Sequence, residues 1–74
     1  MKLSKSLKTS YYIKEISADK KDVERLYKLG IVIGAKIEVL LNLGGGGVLI
    51  DVEGSEVAIG NEISNKIEVV NCKK

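Results

Sequence analysis

Four consecutive glycines, Gly44 to Gly47, are the first stretch of this 74-residue chain that could do chemistry, because successive backbone N–H groups can cradle an anion. A phosphate loop, however, needs a Lys and a hydroxyl residue directly after its glycines and then a helix. Here Val48, Leu49 and Ile50 follow as a strand, so the glycines read as a flexible hairpin tip. Asp51, Glu53 and Glu56 could converge as hard oxygen ligands, but acids at outward positions of a two-period strand form a solvated face. The chain has no His, no Trp, no Phe and no Pro, which removes imidazole acid/base chemistry and His-ligated metal centres. Cys72 is the single cysteine, so neither an intramolecular disulfide nor a cysteine metal site can be built, and a reducing cytoplasm fits. Tyr11, Tyr12 and Tyr27 are the only rings available for stacking. No catalytic, metal or cofactor residue is assigned from these patterns, and the chain reads as a binding protein rather than an enzyme.

The elements that position these residues follow from periodicity. Tyr11 to Ile16 is aromatic and β-branched, as in a strand. Val23, Leu26, Tyr27 and Gly30 then fall at i, i+3, i+4 and i+7, with Asp19 or Ser17 as cap and Gly30 at the left-handed position past the end. The spacing predicts a helix from about Lys20 to Leu29. From Lys36 the period becomes two. Ile37, Val39, Leu41 and Leu43 share one face and Lys36, Glu38, Leu40 and Asn42 the other, and Val48 to Glu53 alternates on the return. With Leu43 opposite Val48 and Asn42 opposite Leu49, this register makes Leu40 and Leu49 diagonal neighbours on the outer face, a small apolar patch that either covers itself with Leu3 and Leu7 or serves as a contact surface. Val57 with Ile59, a turn at Gly60 and Asn61, and Ile67 to Val70 complete the pattern. The fold class is therefore mainly β: a small barrel of about five strands with one short helix after the first strand, in a single domain over 1–74.

Length and charge limit the function. At this size one small core nearly cancels chain entropy, which leaves little room for a buried multi-step active site. Met1 to Lys28 carries eight basic residues against four acids, a net +4; Leu29 to Val70 carries two against six, a net −4; Lys73 and Lys74 bring the total to +2. Such a dipolar surface suits docking on an acidic protein or an anionic membrane face, whereas a total of +2 is weak footing for nucleic-acid affinity. The apolar runs, such as Ile31 to Ile33, are too short for a signal peptide or a membrane span.

The most informative segment is Leu29-Gly30-Ile31-Val32-Ile33-Gly34-Ala35-Lys36-Ile37-Glu38-Val39, which leaves a helix through Gly30, turns at Gly34 and enters a strand. It resembles the ferrous iron transport protein A (FeoA) family, and the resemblance runs over nearly the whole chain: Leu3, Ser4 and Leu7 at the opening, Tyr12 to Ile16, Arg25 with Leu26, Val48 to Gly54, Glu56 to Ile59, and Ile63 with Ile67. Ile33 departs from the pattern, since family members usually have Pro there. The resemblance implies a cytoplasmic SH3-like barrel without established catalysis. It further implies a role assisting the membrane ferrous-iron permease FeoB, which carries a cytoplasmic GTPase domain. The same fold occurs as the terminal domain of metal-dependent repressors, whose DNA-reading and metal-binding domains are absent here, so fold alone does not decide the partner.

On this reading the chain is an accessory module that docks on the cytoplasmic GTPase region of a FeoB-type permease, with self-association as a further use of its surface. The contact is expected on the helix and its exit: Lys20, Lys21 and Arg25 as a basic rim, and Leu26, Leu29 and Ile31 as an apolar anchor. The alternative is a basic-faced barrel that binds nucleic acid through Tyr11, Tyr12 and Tyr27. It is disfavoured because three tyrosines make a thin platform and one of the adjacent pair must face the core. Ferrous-iron binding through carboxylates is weaker still, because oxygen-only sites favour hard ions over transition metals.

Overall fold

Apolar side chains at every second position of five segments turn inward and meet, and their pairing fixes the architecture. The computed structural model describes residues 1–72; Lys73 and Lys74, with the charge they add, lie outside the described part. In chain order the elements are β1 (Ser10–Ile16), α1 (Lys20–Lys28), β2 (Lys36–Asn42), β3 (Val48–Val52), β4 (Ser55–Ile59), α2 (Asn61–Ser64) and β5 (Ile67–Asn71), with 3-10 turns at Leu3–Lys5 and Gly44–Gly46. The strands form one antiparallel sheet in the order β4-β3-β2-β1-β5. This is the expected SH3-like barrel with its helix after the first strand. Among the described residues no ladder joins the edge strands β4 and β5; the short α2 connects them, and a shared core closes the barrel. Ile37 and Val39 of β2 and Val48, Ile50 and Val52 of β3 are at most 3% exposed, each stabilising the fold by about 1.5–3 kcal/mol before entropy is counted.

α1 is held at both ends by its own sequence. The Asp19 carboxylate accepts a hydrogen bond from the Asp22 N–H at 3.0 Å, which satisfies one free donor of the first turn. At the other end Gly30, with φ of +85°, donates to the Tyr27 carbonyl at 3.0 Å, and Ile31 donates to Leu26 at 2.9 Å. This pair of bonds is a Schellman motif, whose accompanying apolar contact joins Leu26 and Ile31. Both are therefore core, at 6% and 1% exposure. The chain then turns again: Ala35 donates to the Val32 carbonyl at 3.0 Å with Gly34 at φ +93°, a type II turn with Ile33 at its first central position.

The β2–β3 hairpin differs from the expected register. Val39 pairs with Ile50, but Leu41 pairs with Leu49 and Asn42 with Val48, so Leu40 is an extra residue in a β-bulge. Beyond it every side chain changes face. Leu41 and Leu43 are 43% and 63% exposed instead of core, Leu40 and Leu49 are half-buried, and Asn42 turns to the amino-terminal segment, where its Nδ2 donates to the Ser4 and Ser6 carbonyls at 3.1 and 2.8 Å. Of the residues expected to cover the patch, Leu3 is fully buried and Leu7 is 70% exposed. Nor is the glycine run a loose tip. Gly44–Gly46 forms a 3-10 turn, and a Cβ on Gly47, at φ +106°, would stand 2.7 Å from the Ile59 carbonyl oxygen. The backbone of β4 passes too close to admit a side chain there. The turn expected at Gly60 and Asn61 continues into a single helical turn over Asn61–Ser64.

The amino terminus covers the outer edge of β5. The Met1 ammonium donates to the Val69 carbonyl at 3.0 Å and pairs with the Glu68 carboxylate at 2.9 Å, while Val69 donates back to the Met1 carbonyl. The ammonium's hydrogen bond, helped by its charge and by Lys14 and Lys2, holds the Glu68 carboxyl below its ordinary value of 4.5 against the opposing effect of desolvation.

Candidate functional site

α1 lies beside the edge strand β4, and the face formed by Asp22, Arg25, Leu26 and Leu29 looks across at Val57, Ala58, Ile59 and Gly60, with Ile63 of α2 closing one end. The space between is a shallow cleft of about 200 Å³. Three of the residues singled out from the sequence thus meet in one place, because positions three and four apart share a helix face. Their roles differ from those expected. Leu26 is part of the floor and Leu29, 44% exposed, forms an apolar rim. Arg25 stands at the edge, its exposed guanidinium 3.9 Å from the half-buried Asp22 carboxylate, a long pair of little energetic weight. Lys21 is exposed one turn before Arg25, but Lys20 is about 140° around the helix from it and faces away from the cleft. Ile31 is enclosed and offers no contact surface; with Leu26 it fixes the angle at which α1 presents Leu29.

On the opposite flank of α1 is a second groove of about 350 Å³, lined by Ile16, Val23, Tyr27, Ile31, Val32 and Ile33. Tyr27 and Ile33 are 70% and 66% exposed. The helical spacing puts Tyr27 on the inward stripe; a nine-residue helix that buries Leu26 through its Schellman contact leaves the neighbouring position outside. Ile33 carried a signal of its own, as an apolar residue at the outer corner of a turn.

The other candidate groups are dispersed or engaged. Tyr11 is buried and its hydroxyl accepts from the Leu7 N–H at 2.9 Å, Tyr12 is on the outer face of β1, and Tyr27 is on α1, so the three rings form no common platform. In the glycine turn the N–H of Gly44 is taken by the Asn42 Oδ1, and those of Gly46 and Gly47 by the carbonyls of Leu43 and Gly44. Asp51 and Glu56 face each other across the β3–β4 ladder, and the Asp51 carboxylate accepts from the Gly54 N–H at 2.8 Å. Among the described residues no three Asp, Glu or Cys side chains gather as a metal site, and no helix is long and apolar enough to cross a membrane.

A structure of an iron uptake regulatory protein (FeoA) superimposes with a TM-score of 0.85 at 26% identity, covering 93% of both chains. A manganese-dependent transcriptional repressor matches 97% of this chain with 41% of its own length, with a TM-score of 0.87 at 20% identity, a likeness of fold alone. A protein of Methanocaldococcus jannaschii named Fe(2+) transport protein A is 40% identical over 61 residues, which is 82% of this chain and 73% of that one. The sequence model of the FeoA domain matches residues 4–71, and with it the order of helix, glycine exit and hairpin described above: the chain belongs to the FeoA family, which is associated with ferrous iron transport.

Proposed function

We propose that the protein is an accessory of ferrous iron transport that docks on the cytoplasmic GTPase region of a FeoB-type permease through the cleft between α1 and β4. The observation that carries this reading is the convergence of Arg25, Leu26 and Leu29 on one cleft at a sheet edge, with Lys21 beside it. An arginine at the rim of an apolar cleft is an anchor of the kind protein interfaces use, and the lysines of α1 add charge that speeds encounter with an acidic surface. Lys20 belongs to that outer field rather than to the contact. Leu26 and Ile31 act by holding the helix, so their truncation lowers stability along with binding.

The experiment is titration of the purified GTPase domain with this protein, with and without guanine nucleotide. Arg25→Glu and Leu29→Ser each weaken binding per folded molecule about tenfold or more while both variants still unfold cooperatively, since neither side chain is core. Wild-type affinity in both variants, or no complex with either nucleotide state, overturns the proposal.

A further inference from the structure

At the end of the sheet that carries the Gly44–Gly46 turn, the exposed Leu7 and Leu41 line one groove with Gly44, and Leu43, exposed as well, directly precedes that glycine. Two chain segments present them, and Asn42 locks the segments into one piece. Its Nδ2 donates to the carbonyls of Ser4 and Ser6, on one side of Leu7, and its Oδ1 accepts from the Gly44 N–H at 2.8 Å, on the other side of Leu43. The bulge at Leu40 turns Leu41 outward beside them. The groove between Leu7 and Leu41 is further lined by Lys5 and Lys8 and contains no acidic side chain. Asp51, Glu53 and Glu56 lie at the far end of the hairpin, a β3 strand's length of roughly 15 Å away.

We propose that this end is a peripheral membrane-binding surface that inserts the three leucines into the interfacial layer of an anionic bilayer, with Lys5 and Lys8 on the lipid phosphates. The residue types favour a lipid over a protein occupant. Protein interfaces concentrate their energy in Trp, Tyr and Arg and are poor in Lys, and leucine is under-represented among their hot spots. This surface has none of the first three and is built from leucines that protrude between lysines, the pattern of a residue set that enters the acyl boundary while its charges stay at the headgroups. The separation of charge along the hairpin adds direction. An anionic leaflet attracts the Lys5–Lys8 end and repels the β3–β4 turn, so encounter delivers the leucines first.

The test is co-sedimentation of the purified protein with vesicles of equal parts phosphatidylglycerol and phosphatidylcholine, compared with phosphatidylcholine alone. Wild type partitions onto the anionic vesicles and is released by salt. Leu7→Ser with Leu43→Ser lowers the partition coefficient about tenfold or more, and Lys5→Gln with Lys8→Gln lowers it about fivefold per lysine. The replaced leucines are 70% and 63% exposed, so the melting temperature of that variant matches wild type, which separates loss of contact from loss of fold. Failure of wild type to bind, equal binding to both vesicle types, or unchanged binding of the leucine variant overturns the proposal. A wild-type dimer that the leucine substitutions split, without vesicle binding, overturns it in favour of a self-contact.

Discussion

Replacing Ile33 with proline should stabilise this protein, although it removes an apolar side chain. Ile33 is the first central residue of the Val32–Ala35 type II turn, a position at which that turn requires φ near the value a proline ring enforces. Its N–H donates no backbone hydrogen bond among the described residues, so the ring deletes none. Val32, which precedes it, is outside the helix, so no helical backbone opposes the extended conformation that a following proline favours. A compatible X→Pro change gains about 0.4–1 kcal/mol by restricting the unfolded chain. Against this stands the part of Ile33 that is covered. The residue is 66% exposed, and what it buries lies in the groove beside Tyr27, which the pyrrolidine ring partly refills. A net gain of about 0.5 kcal/mol remains, or roughly 2–4 °C in melting temperature for a domain of this size.

Ile33→Ala isolates the backbone effect, because it loses the same side-chain cover without gaining the ring. Thermal unfolding followed by circular dichroism should place the proline variant above alanine by about 0.4–1 kcal/mol and above wild type by the smaller margin. A proline variant that melts below Ile33→Ala would refute the turn assignment.

Gly30→Val should cost more than about 1–2 kcal/mol in chemical denaturation, since φ is +85° and the new Cβ would stand 3.2 Å from Val52 Cγ1; an unchanged midpoint would remove the left-handed cap from the account. Gly47→Ala should cost more than about 2 kcal/mol because the Ile59 carbonyl cannot withdraw without breaking β4, whereas Gly45→Ala, with open space and no positive φ, should stay within about 0.5 kcal/mol of wild type; similar midpoints for the two would mean that the turn is as loose as its composition suggests. Glu68 contributes stability that is present above its ordinary pKa of 4.5 and is lost as pH falls through its lower folded value, because the deprotonated form is the one the Met1 ammonium holds. Glu68→Gln should therefore flatten that acid limb of the stability profile, and an unaltered limb would show that the pair does not couple to folding.

The sequence disclosed the elements that obey a single period and concealed those set by contacts between distant segments. α1 was legible because Asp19, Leu26 and Gly30 act within the helix and its own ends. The bulge at Leu40 was not, since Val39-Leu40-Leu41 is apolar throughout and satisfies either register; the choice lies with Asn42, whose amide completes two carbonyls more than thirty residues earlier in the chain. Gly47 belongs to the same class: the need for glycine comes from the Ile59 backbone, which no local pattern announces. α2 is four residues long, too short to show a helical repeat.

The same division explains the candidate cleft. Of the residues expected on the helix and its exit, Arg25, Leu26 and Leu29 line one cleft, but helical spacing could not say which apolar residues face outward, because the Schellman motif settles that question. Its six-residue bond draws Leu26 and Ile31 together and into the core, which sets Leu29 over one groove and Tyr27 over the other. Presentation of Leu29 therefore depends on Gly30, which touches no partner in the proposed contact. A Gly30→Ala variant that remains folded should bind the GTPase domain more weakly than wild type, whereas Leu43→Ser, far from α1, should leave that affinity unchanged. Equal affinity of the folded Gly30 variant and wild type would show that the orientation of α1 does not govern docking.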